Sequence, residues 1–333
     1  MKTVLKSSKL ELDLNQIETN EIISIKIVEQ KLYNLISGCS GVVSEMCTHI
    51  LNSGGKRVRP LLVLYSGLAF SDISEDLVTA SAAAELIHMA TLAHDDVIDK
   101  SELRRNRPSL NKLWGNQFSI LCGDFLFSKA FGILSGNKLF KSLDLMIEAI
   151  DNMCNGEILQ ADNSFNFTMD INDYYKQIEK KTAIFIQCCC KSGAAIGGAN
   201  EQQIKAIGEY GLNIGLAFQI IDDILDFCGN PIVTGKPQGE DLRQGILTLP
   251  LLLLLSDDKY EHQLKKIITK KVYNDEDYSF IADILCSSGA IEKSQKIAAA
   301  HIDKAQEYLK FIPNSQYKDL LYNFAEMLKL RNN

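Results

Sequence analysis

From about residue 20 onward, apolar side chains return every three to four positions, and no stretch alternates apolar with polar residues as a half-buried strand would. The helical periods break at turn-forming combinations: Ser53-Gly54-Gly55, Ser71-Asp72, Arg107-Pro108, Gly136-Asn137, Gly197-Gly198, Asn230-Pro231, Gly235-Lys236-Pro237 and Pro313-Asn314. The pieces between them are roughly 15 to 30 residues long, the span of helices of a few turns. No compositional shift marks a linker. The pattern therefore predicts one all-α domain over residues 21–333, preceded by a flexible N-terminal segment, 1–20.

Two of these helical runs end in carboxylates. TLAHDDVID, residues 91–99, places Asp95, Asp96 and Asp99 after an apolar stretch, and FQIIDDILD, residues 218–226, repeats the arrangement with Asp222, Asp223 and Asp226. On a helix, residues four apart share a face, so Asp95 pairs with Asp99 and Asp222 with Asp226. Carboxylates so close raise one another's pKa unless a cation lies between them. All-oxygen donors suit a hard cation, and Mg²⁺ in particular takes one or two carboxylates and completes its octahedron with water and phosphate oxygens. The spacing excludes an EF-hand, and no set of His and Cys with zinc-site spacing accompanies the clusters, which argues against zinc. The first run is also rich in alanine (Ala80, Ala82, Ala83, Ala84, Ala90, Ala93), which either admits a neighbouring helix closely or leaves a channel unfilled.

Charge sharpens this picture. With 35 Lys and Arg against 42 Asp and Glu, the net charge is −7, so no global field attracts nucleic acid or an anionic membrane. Against that background GGKRVRP, residues 54–60, concentrates Lys56, Arg57 and Arg59 where a loop enters a helix, a place already suited to anions. LRRNRPS follows the first acidic cluster with Arg104, Arg105 and Arg107. Arginine forks grip phosphate bidentately, so a phosphate ligand between acidic and basic clusters is expected. The nine cysteines, with Cys188, Cys189 and Cys190 consecutive, have neither metal-ligand nor disulfide-framework spacing and read as reduced packing residues. No uninterrupted apolar run reaches the length of a membrane span and no transit pattern opens the chain, so a cytoplasmic protein is the expectation.

The ordered set GGKRVRP, DDVID followed by LRR, GEILQ (Gly156 to Gln160), KTA (Lys181 to Ala183), FQIIDDILD and GKPQGEDLRQGILTLP resembles the trans-isoprenyl diphosphate synthases, most clearly from Met46 to Pro250. The resemblance implies an antiparallel helical bundle of the isoprenoid synthase type around a deep central cavity, and a homodimer. It implies that Lys56, Arg59, His88 and Arg105 hold the diphosphate of isopentenyl diphosphate. It gives Arg104, Lys181 and Lys236 to the allylic diphosphate, from geranyl or farnesyl diphosphate. Asp95, Asp99 and Asp222 become the main ligands of three Mg²⁺ ions, with Asp96, Asp223 and Asp226 in support, and Thr182 and Gln219 line the place where the carbocation forms. Two positions depart from many relatives: Ile246 stands where a lysine is common, and Gln160 where some have an acid.

The chemistry so implied is ionisation of the allylic diphosphate, attack by the double bond of isopentenyl diphosphate, and loss of a proton. Thr91 and Ala90, four and five residues before Asp95, lie about one turn deeper and are small where short-chain relatives carry an aromatic ring. That favours a long-chain, octaprenyl-like product of the kind that supplies quinone side chains, with geranylgeranyl diphosphate as the nearer alternative. A terpene cyclase is disfavoured by GGKRVRP and LRR, since it holds no second diphosphate, and a regulatory subunit by the presence of both aspartate motifs.

Overall fold

The computed structural model describes residues 25–166, 168–228, 239–270 and 272–330, so the 1–20 segment and Lys236 lie outside the described residues. Contacts gather into two compact units. The first takes the described residues up to Met146 with Cys189–Ile204 and Ile312–Leu321, and the second takes Ile147–Cys188, Lys205–Phe311 and the chain from Tyr322 on.

In the first unit, helix α1 (25–37) leads to α2 (Gly41–Asn52), α3 (Val58–Leu68) and the long α4 (Glu75–Ile98). The Ser74 hydroxyl caps α4 by accepting from the Leu77 amide, and Glu75 and Asp76 complement the positive end of the helix dipole. α4 packs most extensively against α6 (Asn116–Gly136) and then against α3, with the short α5 (Leu110–Trp114) between. Ala80, Ala82, Ala83, Ala84 and Ala90 are fully buried, so the alanine-rich run is a close-packing surface rather than the wall of an open channel.

One feature of this unit corrects the sequence reading. A two-stranded antiparallel hairpin, β1 (Leu103–Arg104) with β2 (Arg107–Pro108), follows α4. Its two-residue turn places Arg105 and Asn106 at φ 52° and 62°, the left-handed pair of a type I′ turn. Such a short ladder has no alternation to detect. Helix α6 is also long and apolar enough to cross a membrane by length and composition, although only a third of its apolar window is buried. Asp124 and Lys129 interrupt its apolar run, and the core helix of a soluble protein has the same length and composition.

In the second unit, α7 (Phe140–Asp162) contributes from Ile147, followed by α8 (Ile171–Ile178), a π-helical turn (Glu179–Ala183), the start of α9 (Ile184–Ile196) and α10 (Glu201–Cys228) from Lys205. Short helices α11 (Glu240–Arg243) and α12 (Leu249–Leu255) precede α13 (Asp258–Ile268), α14 (Asp275–Ser287), α15 (Ala290–Tyr308) and α16 (Gln316–Leu330). α12 begins with Pro250 in its first turn, where a missing N–H costs no helical bond. Asn274 and Asp277 form a reciprocal capping box at the start of α14. All nine cysteines are free thiols, and Cys188, Cys189 and Cys190 are fully buried as expected of packing residues.

Candidate active site

In the first unit a solvent-open cleft is lined by His49, Gly54, Glu85, His88, Arg104 and Arg105, among others. Arg57 also borders it, but its role is structural. It is buried in a left-handed conformation (φ 49°) ahead of α3, and its Nη1 donates to Glu85 Oε1 at 2.6 Å and Nη2 to the Leu51 carbonyl at 2.8 Å. Of the three cations in GGKRVRP, then, Arg57 builds the wall, while Lys56 is exposed and Arg59 is half-buried.

Arg105 reaches the cleft from the hairpin turn because residue 55 is a glycine: a Cβ there would lie 2.5 Å from Arg105 Nη1, and Gly55 itself sits at φ +149°. Burial holds the Arg105 pKa below its ordinary value. His88, on α4, is kept neutral by burial and by the fields of Arg59, Arg105, Arg104 and Arg57, which push its pKa well below the usual histidine range. Its Nδ1 is buried without a hydrogen-bond partner among the described residues. The cleft thus concentrates arginine charge around an unsatisfied polar atom, which is the electrostatic preparation for an anion.

Asp95 and Asp99 occupy the last turn and C-cap of α4, where the helix dipole is itself negative. Asp96 is different: it is buried, and its Oδ1 accepts from Arg104 Nε at 2.6 Å. Its backbone carbonyl accepts from Asn111 Nδ2 and from the Ser101 amide. One turn earlier, Thr91 is half-buried with its hydroxyl donating to the His88 carbonyl at 2.8 Å, whereas Ala90 is fully buried.

In the second unit Lys181 and Thr182 lie in the π turn, a local unwinding that often marks functional positions. Two glycines make room for it. A Cβ on Gly156 of α7 would lie 2.6 Å from the Lys181 amide nitrogen, and one on Gly215 of α10 would lie 2.5 Å from Ala183 Cα. Lys181 Nζ contacts Glu157 Oε1 at 2.8 Å and donates to Gln160 Oε1 at 3.1 Å. Gln160 therefore keeps an acceptor for Lys181 although it carries no charge. Thr182 Oγ1 donates to Gln219 Oε1 at 2.8 Å, Gln219 Nε2 donates to Asp223 Oδ1 at 3.0 Å, and Tyr174 Oη donates to Asp223 Oδ2 at 2.6 Å.

Asp222, Asp223 and Asp226 end α10 as Asp95 and Asp96 end α4. Burial, then repulsion by Asp241, raises the Asp223 pKa well above the carboxylate range, and the same causes push Asp226 up to about 7. Asp226 Oδ1 accepts from the Glu240 amide, while its Oδ2 is buried without a hydrogen-bond partner among the described residues. Crowded, acceptor-only oxygen donors at the negative end of a helix fit a hard divalent cation such as Mg²⁺. Among the described residues no three His, Cys, Asp or Glu side chains converge on one point, so such a cation would need further oxygens from a bound diphosphate and water.

Sequence reasoning missed Glu85, which fixes Arg57, and Tyr174, which holds Asp223. Tyr174 precedes Lys181 by seven residues, two helical turns, and that spacing was the available signal.

Oxygen-rich helix ends and an arginine cleft on an all-helical scaffold define an enzyme of diphosphate chemistry. The chain belongs to the polyprenyl synthetase family, whose model matches residues 40–285. It is 35% identical over 301 residues, 90% of this chain and 92% of the relative, to heptaprenyl diphosphate synthase component 2 of Geobacillus stearothermophilus. It is 32% identical to geranylgeranyl diphosphate synthase of Saccharolobus solfataricus, over 93% of this chain and 94% of that one. Among solved structures, a polyprenyl synthase from Caulobacter crescentus complexed with calcium and isoprenyl diphosphate superposes with a TM-score of 0.86 at 30% identity, covering 96% of this chain and 97% of that chain. The chain is thus a trans-prenyl diphosphate synthase, a prenyltransferase of a Mg²⁺-dependent family acting on isoprenyl diphosphates.

Proposed function

We propose that this enzyme makes a long-chain, octaprenyl-like all-trans diphosphate by repeated head-to-tail addition of isopentenyl diphosphate to a geranyl or farnesyl diphosphate primer. The observation that carries the length is Thr91, a small, half-buried side chain one turn before Asp95 on the same face, where an aromatic ring would block an elongating tail. Ala90 is buried and carries less of this argument. The name of the Geobacillus relative supports a long product, and that of the Saccharolobus relative keeps geranylgeranyl diphosphate as the alternative.

In this reading Arg105, Arg59, Lys56 and neutral His88 bind the diphosphate of isopentenyl diphosphate in the arginine cleft. Arg104, Lys181 and Lys236 bind the allylic diphosphate. Asp95, Asp99 and Asp222 hold Mg²⁺, three ions in all, which supplies charge neutralisation for the departing diphosphate. Thr182 and Gln219 place oxygen dipoles against the allylic cation. Carboxylates act here as ligands and not as general bases; the proton lost after attack passes to the released pyrophosphate. The protein works in the cytoplasm as a homodimer, for which Phe118, Ile120 and Leu121 supply an exposed apolar face on α6. The Geobacillus relative is named as one component of an enzyme, so a heteromeric arrangement is the second reading.

The test is a product assay of the purified protein with labelled isopentenyl diphosphate and farnesyl diphosphate, with Mg²⁺ or with EDTA. Mg²⁺-dependent products of C35 or longer support the proposal; a C20 end product overturns the length, and folded protein that makes product only when a second subunit is added overturns the homodimer.

A further inference from the structure

Asp223, the middle aspartate of the second motif, has both oxygens engaged: Tyr174 Oη donates to Oδ2 at 2.6 Å and Gln219 Nε2 to Oδ1 at 3.0 Å. It is 3% exposed and Tyr174 is 1% exposed. With Tyr174 and Gln219 Nε2 each donating to one Asp223 oxygen, Gln219 presents its NH₂ to Asp223 and its carbonyl oxygen to Thr182. Thr182 then has one orientation. Its hydroxyl proton is committed to Gln219 Oε1, 2.8 Å away, so the hydroxyl has lone pairs, not its proton, left to offer a neighbouring group.

The geometry points to Tyr174 and Asp223 as positioning residues that act through Gln219 to turn the lone pairs of Thr182 toward the developing allylic cation. Neither ligates metal or touches substrate. This deepens the proposed function and rests on its placement of Thr182 beside the cation. Without Tyr174 one Asp223 oxygen loses its donor and the carboxylate can rotate. Gln219 then samples both amide orientations, and Thr182 spends part of its time with a proton facing positive charge. The residues given to isopentenyl diphosphate, Lys56, Arg59, His88 and Arg105, are not part of this network, so the effect falls on turnover and not on the binding of that substrate.

The experiment compares wild type with Tyr174→Phe, Thr182→Ala and the double variant, reading kcat, KM for isopentenyl diphosphate and the urea unfolding midpoint of each. Tyr174→Phe should lower kcat by about ten- to a hundredfold with KM within about twofold, the scale of a misplaced catalytic group. The double variant should be no slower than about twice the worse single one, because both act on one hydroxyl. An unchanged kcat in Tyr174→Phe, a loss confined to KM, or losses that multiply would each overturn the assignment. If the wild type makes no prenyl product, the function fails, and the unfolding measurements still decide the network: non-additive stability losses keep it and additive ones reject it.

Discussion

Substituting alanine for Gly215 separates placement of the π turn from stability of the fold. The new Cβ would lie 2.5 Å from Ala183 Cα, 2.9 Å from Ala183 Cβ and 3.3 Å from Ala183 C. Carbon atoms pack at about 3.5 to 4.0 Å, so the two segments must separate by roughly 1 Å, and the obstructing atoms are backbone or its first substituent rather than a flexible side-chain tip. Thr182 precedes Ala183 directly, and its 2.8 Å bond to Gln219 spans the gap that has to widen. A displacement of that size costs about 100-fold in rate. Stability suffers less: overpacking costs about 1 to 3 kcal/mol, offset by about 1 kcal/mol of better helix propensity for alanine over glycine within α10. The expected signature is a kcat near one hundredth of wild type in protein whose urea midpoint falls by an amount equivalent to less than about 2 kcal/mol. A folded variant with kcat within threefold of wild type would refute the claim that Gly215 sets the position of the turn.

Two further predictions concern the first unit. Glu85→Ala leaves Arg57 buried beside the cleft without its main partner, both side chains being under a tenth exposed, and should destabilise by about 3 to 5 kcal/mol in urea unfolding; a loss below about 1 kcal/mol would show that Glu29 and the Leu51 carbonyl suffice for Arg57. His88, faced by Arg59, Arg105, Arg104 and Arg57, has a folded-state pKa well below its unfolded 6.5, so its contribution to stability is fully present above pH 6.5 and is lost as pH falls below it. Wild type should therefore lose up to about 1.4 kcal/mol per pH unit there through this group, and His88→Gln should lose correspondingly less. Equal slopes between pH 7 and 5 in the two proteins would sink that assignment.

The helices were legible because long amphipathic or apolar runs with Gly, Pro and Asn breaks leave few alternatives, and the aspartates were legible because i,i+4 spacing is a helix property. The rest was decided by tertiary partners. Arg57 and Arg59 look alike in GGKRVRP, and only the proximity of Glu85, 28 residues on, makes Arg57 a wall and not a ligand. The alanines of α4 allow close packing, the commoner case, or a channel, and the packing of α6 and α3 against them decides for the first. The π turn at Glu179–Ala183 has no local signature, since what allows it is the absence of a side chain at Gly156 and Gly215 on two other helices.

The doubled aspartate in each motif now has a physical division of labour. Residues i and i+4 share a face while i+1 is turned about 100° away from it, so a motif of the form Asp-Asp-x-x-Asp at a helix end must send its middle carboxylate toward the protein. Both helices obey this: Asp96 is 4% exposed and Asp223 is 3% exposed, while Asp95 and Asp222 are half-buried and Asp99 is exposed. A buried carboxylate needs donors, and the two sites answer differently, with the Arg104 guanidinium in one and the Tyr174 hydroxyl and Gln219 amide in the other. Each middle aspartate is thereby tied to a neighbouring polar group, Asp96 to Arg104 and Asp223 through Gln219 to Thr182, the groups that the proposed function assigns to the allylic diphosphate and to the cation respectively. Replacing each middle carboxyl by an amide should accordingly act through different partners: Asp96→Asn should loosen Arg104 and weaken allylic diphosphate binding, raising KM for the primer, whereas Asp223→Asn, which puts an amide NH₂ where an oxygen accepts from Tyr174 or Gln219, should lower kcat. If both substitutions changed the same kinetic constant to the same extent, the middle aspartates would be acting as a common charge on the metals and not through separate partners.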